Sequence, residues 1–172
     1  MNETDLDMVC KKNGIDLACL KRRIISYELF VEKPYWDNGH LTVGYGTTLS
    51  CLNWFKYICN PKTFKITKEE AQKRLDKYIY AAVKFLIKFL GTNLSLVNNV
   101  RKEALIDMIF NMGCSRFKKF KKMCAELKAP RINWESVSRE TRDSDYYRKK
   151  NKIDREENVV KELLTGEYAK QY

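Results

Sequence analysis

Apolar residues recur at helical spacing in several stretches of the chain, and capping residues or glycine bound each stretch. Near the N-terminus, Thr4 and Asp16 are candidate helix caps, and Gly14 separates the two helices that they begin. The apolar positions of the second helix are Leu17, Leu20, Ile24 and Tyr27. This spacing predicts that the second helix ends near Glu28.

A different pattern follows the second helix. Asn38 and Gly39 form a turn signal, and the next residues, 41–48, are rich in β-branched side chains and include Gly44 and Gly46. Two glycines at a spacing of two favour a bulge or a close backbone approach over a regular buried strand. The pattern predicts a small, strongly bent β-hairpin.

Helical periodicity returns in the rest of the chain. A capping box at residues 67–70 begins a long amphipathic helix with Gly91 as its stop. A second, buried helix is predicted over residues 101–112, and a lysine-rich helix beyond Gly113 ends at Pro130. The predicted buried positions of the three helices are Ala71, Leu75, Tyr78, Ala82, Phe85, Leu86, Phe89, Ala104, Leu105, Met108, Ile109, Met112, Phe117, Phe120, Met123 and Leu127.

One strand region followed mostly by helices is the α+β layout, and 172 residues suit a single main domain. We expect an N-terminal helical extension over residues 1–16 and one domain over residues 17–172. Within that domain, the small lobe is expected over about residues 28–66 and the helical lobe over about residues 67–172.

The balance of 33 Lys and Arg against 22 Asp and Glu gives a net charge of +11. This charge favours an acidic partner, such as nucleic acid, anionic lipid or an anionic wall polymer, and its sign alone does not choose among them. Lys118–Lys122, with Phe117 and Phe120 interleaved, keeps a nucleic-acid-binding module as an alternative. Because no nucleic-acid motif accompanies these residues, we expect no nucleic-acid partner.

The remaining composition excludes several classes of protein. Residues 1–7 are acidic and do not have the order of a signal peptide, so synthesis in the cytoplasm without one is expected. The apolar stretch 78–90 is interrupted by Lys84 and Lys88 and is too short to span a bilayer, so we expect no stable membrane association. With one histidine and no CxxC spacing, neither a metal nor a cofactor is expected, and the six cysteines are expected to be mostly reduced.

Glu28 and Asp37 are a candidate pair of catalytic carboxylates. Hydrolysis of a glycosidic bond needs one carboxylic acid to protonate the leaving oxygen and one carboxylate on the other side of the sugar. Glu28 lies at a helix end with Tyr27, Leu29 and Phe30 as apolar neighbours that would desolvate it, and Asp37 lies in a polar turn. The spacing alone is weak among 22 acidic residues; the helix end, turn and hairpin strengthen it.

These segments strongly resemble the catalytic segment of phage-type lysozymes. The resemblance comprises Glu28, then Pro34-Tyr35-Trp36-Asp37, then Gly39-His40-Leu41-Thr42-Val43-Gly44-Tyr45-Gly46-Thr47. Ile66-Thr67-Lys68-Glu69-Glu70-Ala71 is similar to the start of that family's long interdomain helix. The residues 101–113 are similar to its central buried helix.

The resemblance implies a lysozyme-like fold, in which a long helix joins a small β-hairpin lobe to a larger helical lobe. It implies an endolysin-type muramidase that hydrolyses the β-1,4 bond between N-acetylmuramic acid and N-acetylglucosamine. By match, Glu28 is the general acid, Asp37 positions or activates water, and Thr42 assists. Phe110 and Gly113 would lie near the far wall of the cleft and bind substrate. The expected partner is bacterial peptidoglycan, and the expected protein is a monomer that reaches the wall with the help of a holin.

The spacing between Asp37 and Thr42 departs from the family pattern. Four residues separate them where five are common, and a one-residue change in a strand reverses the face on which a side chain lies, unless a bulge restores the register. Thr42 and Thr47 are therefore open to interpretation as ordinary strand residues, and Glu32 is an alternative acid.

Two further alternatives concern binding and activity. Tyr35 and Trp36 are candidates to stack on sugar, but aromatic residues beside a hairpin more often belong to the core of the small lobe, so neither is predicted as a binding residue. The alternative function is a catalytically inactive wall-binding or interaction protein, because a fold does not ensure activity.

Overall fold

The computed structural model describes residues 3–37, 39–49, 56–148 and 153–172. Within these residues the chain forms one small antiparallel sheet followed by helices, which confirms the predicted α+β class and lysozyme-like layout. The elements are α1 (Glu3–Lys12), α2 (Leu17–Tyr27), β1 (Val31–Asp37), β2 (His40–Gly44), β3 (Thr47–Thr48), a helical turn at residues 56–59, α3 (Lys68–Leu90), a 3-10 helix (Gly91–Leu96), α4 (Asn99–Met112), α5 (Cys114–Phe117), α6 (Lys121–Leu127), α7 (Trp134–Arg142), α8 (Asp145–Arg148) and α9 (Ile153–Thr165).

Helix α2 begins and ends as the sequence predicts, whereas α1 begins at Glu3 and contains Thr4, its predicted cap, within the helix. The side chain of Asp16 accepts a hydrogen bond from the backbone N–H of Cys19 at 2.9 Å and caps α2. Leu6 and Cys10 of α1 are fully buried in the same hydrophobic core as the later helices. Helix α1 therefore packs on the body of the protein.

The sheet has the order β1-β2-β3. Strands β2 and β3 form the predicted bent hairpin, whereas β1 was not predicted because it runs through Pro34. Proline lacks the N–H that a strand interior donates, but β1 is an edge strand, and its pairing with β2 is irregular between Val31 and Tyr35. Asn38, which the sequence places in the turn, lies outside the described residues.

Helix α3 connects the small lobe to the helical lobe. Thr67 and Glu70 form the predicted capping box, and Gly91 follows the last helical residue. The stretch Lys68–Leu96 is long enough to cross a membrane, and an 18-residue window within it has a mean hydropathy of 1.3. One face of α3 lies in the core, where Leu75, Ile79, Val83 and Leu86 are fully buried. This helix is therefore the amphipathic core helix that the sequence predicts, although the predicted buried position Tyr78 is 44% exposed.

The hairpin approaches α3 closely at Gly44. A Cβ atom on Gly44 would lie 2.9 Å from Cβ of Ala71, a separation that real side chains do not adopt. The positive φ of +68° at this residue also favours glycine. The predicted close backbone approach is thereby confirmed, and it seats the small lobe on the first turn of α3.

Helix α4 forms the centre of the helical lobe. All eight residues from Lys102 to Ile109 are buried. The single helix predicted beyond Gly113 is instead two short helices, α5 and α6, interrupted at Phe120. An unbroken helix would bring Lys118 beside Lys121 and Lys122, and like charges at these spacings destabilise a helix. The sequence prediction was wrong at this point.

The C-terminal segment packs back on α4 through Tyr168, which donates a hydrogen bond to the Glu103 carboxylate at 3.0 Å. Glu103 is fully buried. Burial raises the pKa of Glu103 to about 7, although hydrogen bonds from Tyr168 and Cys19 oppose the shift.

Glu103 should make the folded protein less stable as the pH rises. The ordinary pKa of a glutamate is 4.5 and that of folded Glu103 is about 7, so between these values the folded state binds the additional proton. The free energy of unfolding is therefore expected to fall between about pH 4.5 and pH 7, by on the order of 3 kcal/mol. Urea unfolding of Glu103→Gln across this range should lack that component.

The exposed Glu135 provides the matched control, because Glu135→Gln should keep the pH dependence of the wild type. An unchanged pH dependence in Glu103→Gln would contradict the assignment of this titration to Glu103.

Candidate active site

Glu28 is the residue at which α2 ends. Its backbone N–H donates to the carbonyl oxygens of Ile24 and Ile25 at 3.2 and 3.3 Å, and its own backbone is extended. The helix therefore stops where the apolar periodicity predicts, and the Glu28 side chain leaves α2 towards the hairpin.

The Glu28 carboxylate lies between the hairpin and α9. Its Oε1 accepts a hydrogen bond from Arg155 Nη1 at 2.6 Å, and a Cβ atom on Gly46 would lie 2.8 Å from Oε2. The side chain is 16% exposed. Gly46 therefore leaves the space that this carboxylate occupies, and Arg155 fixes its direction.

The apolar surroundings predicted for Glu28 are partly wrong. Leu29 is 85% exposed, because the chain becomes extended after the helix and turns this side chain outwards. Phe30 packs on Tyr45 of the hairpin turn, with ring centroids 5.5 Å apart. The nearest charged neighbour of Glu28 that the structure defines is the guanidinium of Arg155.

Arg155 belongs to a buried array of ion pairs that the sequence did not predict. Its guanidinium bonds to Asp107 Oδ1 at 2.5 Å as well as to Glu28. Asp107 Oδ2 accepts a second contact from Arg23 Nε at 3.2 Å, and Arg23 Nη1 pairs with Glu162. The side chains of Arg23, Asp107, Arg155 and Glu162 are fully buried.

The charges in this array stabilise one another. Burial alone would raise the pKa of Asp107, but the guanidinium groups of Arg155 and Arg23 outweigh burial and hold this pKa below its usual range. Burial likewise opposes the charge on Arg155, and Asp107 and Glu28 raise its pKa above the ordinary value. Asp107, Arg23 and Arg155 are therefore ionised at neutral pH.

Asp37 and Thr42 lie on the same face of the hairpin. Tyr35 pairs with Thr42 and Asp37 pairs with His40, and residues two apart in a strand share a face. Direct pairing of Asp37 with His40 leaves two residues between the strands. The short spacing between Asp37 and Thr42 therefore shortens the turn and does not change the strand register. The two side chains do not lie on opposite faces.

Thr42 is 4% exposed, and its hydroxyl donates to the carbonyl oxygen of His40 at 3.3 Å. Asp37, in contrast, is exposed at the end of β1. The hairpin therefore presents an exposed carboxylate and an oriented hydroxyl on one face.

Tyr35 lies close to both candidate carboxylates. Burial, then the charges of Asp37 and Glu28, raise the pKa of its phenol. The side chain is 38% exposed and lies across from Thr42 in the sheet. Tyr35, which the sequence did not predict as a binding residue, thus belongs to the candidate site. Its spacing of two from Asp37 along a strand was the signal for this position.

The two predicted substrate-binding residues lie at the end of α4. Phe110 is half-buried, with its ring centroid 6.5 Å from that of Tyr78 on α3. Gly113 is exposed and ends α4, donating its N–H to Ile109 at 2.8 Å. Their contact with substrate stays a prediction.

The other candidates from the sequence lie elsewhere. Glu32 is exposed and pairs with Lys65 at 3.2 Å. Phe117 is fully buried, so it is inaccessible to a nucleic-acid base. Among the described residues, no cluster of three or more His, Cys, Asp or Glu has a metal-binding arrangement. The five described cysteines are free thiols, and Cys51 lies outside the described residues.

A comparison with protein families identifies the family to which this chain belongs. A family model described as phage lysozyme matches residues 25–165, which include Glu28, the hairpin, α4 and Arg155. The chain belongs to the phage lysozyme family. A search of curated proteins found no match.

Membership of the phage lysozyme family implies glycoside hydrolase activity with peptidoglycan as the substrate, and it supports a muramidase-type endolysin. Within this phage lysozyme, sequence reasoning missed Asp107 and Arg155. A lone aspartate among the apolar residues of α4 was the available signal for Asp107. No comparable signal marked Arg155, which lies in a charged stretch.

Replacement of Gly46 by alanine should disturb the site more than it disturbs the fold. Its φ is +66°, so alanine should cost about 1–2 kcal/mol of stability through backbone strain. The new Cβ atom would also displace the Glu28 carboxylate, and we expect a roughly 10²-fold loss of lytic rate.

Gly91→Ala is the matched control, because Gly91 has a φ of +55° and nothing lies within 4 Å of its Cβ position. Calorimetry and turbidity assays should find a similar loss of stability in both variants and a loss of activity in Gly46→Ala alone. Equal activity of the two variants would contradict the close packing of Glu28 on Gly46.

Proposed function

We propose that this protein hydrolyses the β-1,4 bond between N-acetylmuramic acid and N-acetylglucosamine, with Glu28 as general acid and Asp37 as the residue that positions or activates water. The observation that carries the proposal is the placement of the Glu28 carboxylate. It is fixed by Arg155 and seated on Gly46 of the hairpin that presents Asp37 and Thr42 on one face. Two carboxylates of this kind are what glycosidic hydrolysis requires.

Glu28 delivers a proton to the leaving glycosidic oxygen. The hydrogen bond from Arg155 to Oε1 orients the carboxyl group. Because α2 ends at Glu28, the helix also fixes the position of its Cα atom. A positioned acid of this kind contributes roughly 10²–10⁴-fold to the rate. The proton leaves with the departing hydroxyl, and water supplies the replacement.

Asp37 accepts a proton from the attacking water, and Thr42 orients that water. Because the Thr42 hydroxyl donates its hydrogen to the His40 carbonyl, its oxygen is directed to accept a hydrogen bond from water. Attack on the face opposite the leaving group inverts the anomeric centre. Tyr35, between the two carboxylates, is placed to border the sugar.

The saccharide chain lies between the hairpin and the end of α4 in this proposal. Phe110 supplies an apolar ring face, and exposed Gly113 allows close approach of a sugar to the backbone. The protein acts as a monomer on the bacterial wall. It is made in the host cytoplasm and reaches the wall through a holin.

Loss of either carboxylate should abolish lysis of purified peptidoglycan. We expect Glu28→Gln and Asp37→Asn each to lower the rate of turbidity loss by roughly 10²–10⁴-fold. Glu32→Gln is the matched control in the same lobe, since Glu32 is exposed and its carboxylate pairs with Lys65 at 3.2 Å. Full activity in Glu28→Gln, or no activity in the wild type, would contradict the proposal.

The products distinguish the reaction from neighbouring chemistries. A muramidase releases reducing N-acetylmuramic acid ends, whereas a lytic transglycosylase releases ends closed to a 1,6-anhydro ring. Reducing-end and anomeric analysis should detect free reducing ends with inverted configuration. Anhydro ends would identify a transglycosylase instead.

The net charge of +11 should accelerate encounter with a negatively charged wall. Raising the ionic strength from about 0.05 M to about 0.5 M shortens the screening length to a few ångströms, so lysis of whole walls should slow. Hydrolysis of a short soluble oligosaccharide from the wall, which carries few negative charges, should change much less over the same range. Indifference of whole-wall lysis to salt would contradict electrostatic steering.

A further inference from the structure

The C-terminal residues 167–172, here called the C-terminal strap, return across α2 and α9. The backbone N–H of Ala169 and the hydroxyl of Tyr172 both donate to Glu162 Oε1, at 3.1 and 2.9 Å. Arg22 Nε donates to the backbone carbonyl of Tyr172 at 3.0 Å. The strap is thus bound at its end to both helices.

The Tyr172 ring covers the outer end of the buried ion-pair array. The Arg23 guanidinium lies over this ring, 5.0 Å from its centroid. From Arg23 the contacts continue inwards through Asp107 to Arg155 and then to Glu28. A continuous chain of contacts therefore joins the strap to the candidate general acid.

A second set of contacts reaches Arg155 from the same side. Its guanidinium lies 5.1 Å from the centroid of the Tyr27 ring, and the Tyr27 hydroxyl accepts a hydrogen bond from Asn158 at 2.7 Å. The hydroxyls of Tyr27 and Tyr172 are 3.4 Å apart, and Lys170 Nζ lies 4.3 Å from the Tyr27 ring centroid. The strap therefore supports both arginines.

Asp107 is shared between the two guanidinium groups, and this sharing connects the strap to catalysis. Arg23 donates a hydrogen bond to one carboxylate oxygen of Asp107 and neutralises part of its charge. Asp107 therefore attracts Arg155 less strongly, and Arg155 can also pair with Glu28. If water reached Arg23, its attraction for Asp107 would be screened, and Asp107 would draw Arg155 away from Glu28. By covering Arg23, the Tyr172 ring thus keeps the Arg155 guanidinium between the carboxylates of Asp107 and Glu28.

We propose that Tyr172 is a positioning residue for the reaction: its ring keeps water from Arg23 and thereby holds Arg155 against Glu28. The proposal rests on the proposed role of Glu28. It adds that residues 167–172 act on the rate of the chemical step, although they are not among the residues proposed to contact the substrate.

The full-length Tyr172→Ala protein tests this role with soluble peptidoglycan fragments as substrate. We expect kcat to fall about tenfold with KM unchanged, because the acid is displaced while the saccharide contacts are intact. Tyr172→Phe keeps the ring over Arg23 and should restore at least half of the wild-type kcat. An unchanged kcat in Tyr172→Ala, or no rescue by phenylalanine, would overturn the proposal.

Leu127→Ala is the control for a general loss of stability. Leu127 is fully buried in α6 and takes no part in the ion-pair array, so its truncation should lower the melting temperature and leave kcat unchanged at temperatures well below melting. If kcat fell as much in Leu127→Ala as in Tyr172→Ala, a general loss of stability would explain the effect of Tyr172. That result would overturn the proposal.

Hydrogen exchange of the Arg155 guanidinium, followed by ¹⁵N NMR, separates this proposal from the proposed function. Tyr172→Ala should speed this exchange and Leu127→Ala should not, whether or not Glu28 is the catalytic acid. Full activity in Glu28→Gln would refute the catalytic assignment, and with it the reason for the expected fall in kcat, but not the effect of Tyr172 on Arg155. Unchanged Arg155 exchange in Tyr172→Ala would refute the positioning role alone.

Discussion

The candidate active site depends on one constraint, the mutual compensation of charges buried around Asp107. Two arginines and two carboxylates lie here without solvent exposure, and Glu28 joins them at the edge. Removal of one partner from a buried ion pair costs about 3–5 kcal/mol, because the other charge is left without compensation. Helices α2, α4 and α9 must therefore stay in register with one another, and Glu28 shares that rigidity.

The hairpin meets this rigid part of the molecule through two glycines. Because Gly44 has no Cβ atom, Ala71 in the first turn of α3 can pack against it. Gly46 leaves space for the Glu28 carboxylate in the same way. The sheet therefore packs against Ala71 of α3 at Gly44 and against the Glu28 carboxylate at Gly46. This small lobe needs such packing, because an isolated two-stranded hairpin is marginally stable at best in water and β3 adds only two residues to the sheet.

Much of the fold was predictable because its signals are local. Asp16 and Thr67 cap the helices that follow them, and the glycine pair marks the bent hairpin. The errors occurred where strand pairing or repulsion between nearby lysines outweighs the signals of hydrophobic periodicity and turn residues. Strand β1 runs through Pro34 because an irregular edge strand tolerates a missing N–H, and the helix predicted beyond Gly113 breaks at Phe120.

The sequence by itself determined that Glu28 ends a helix, that Asp37 adjoins a turn and that a glycine-rich hairpin follows. Caps, periodicity and turn residues act over a few positions, so a single segment carries this information. Only the tertiary structure decided which cation fixes Glu28, since Arg155 lies 127 residues further along the chain and Arg23 meets Asp107 across 84 residues. It also decided that Asp37 and Thr42 share a face, because the pairing of β1 with β2 depends on where the turn closes and not on residue count alone.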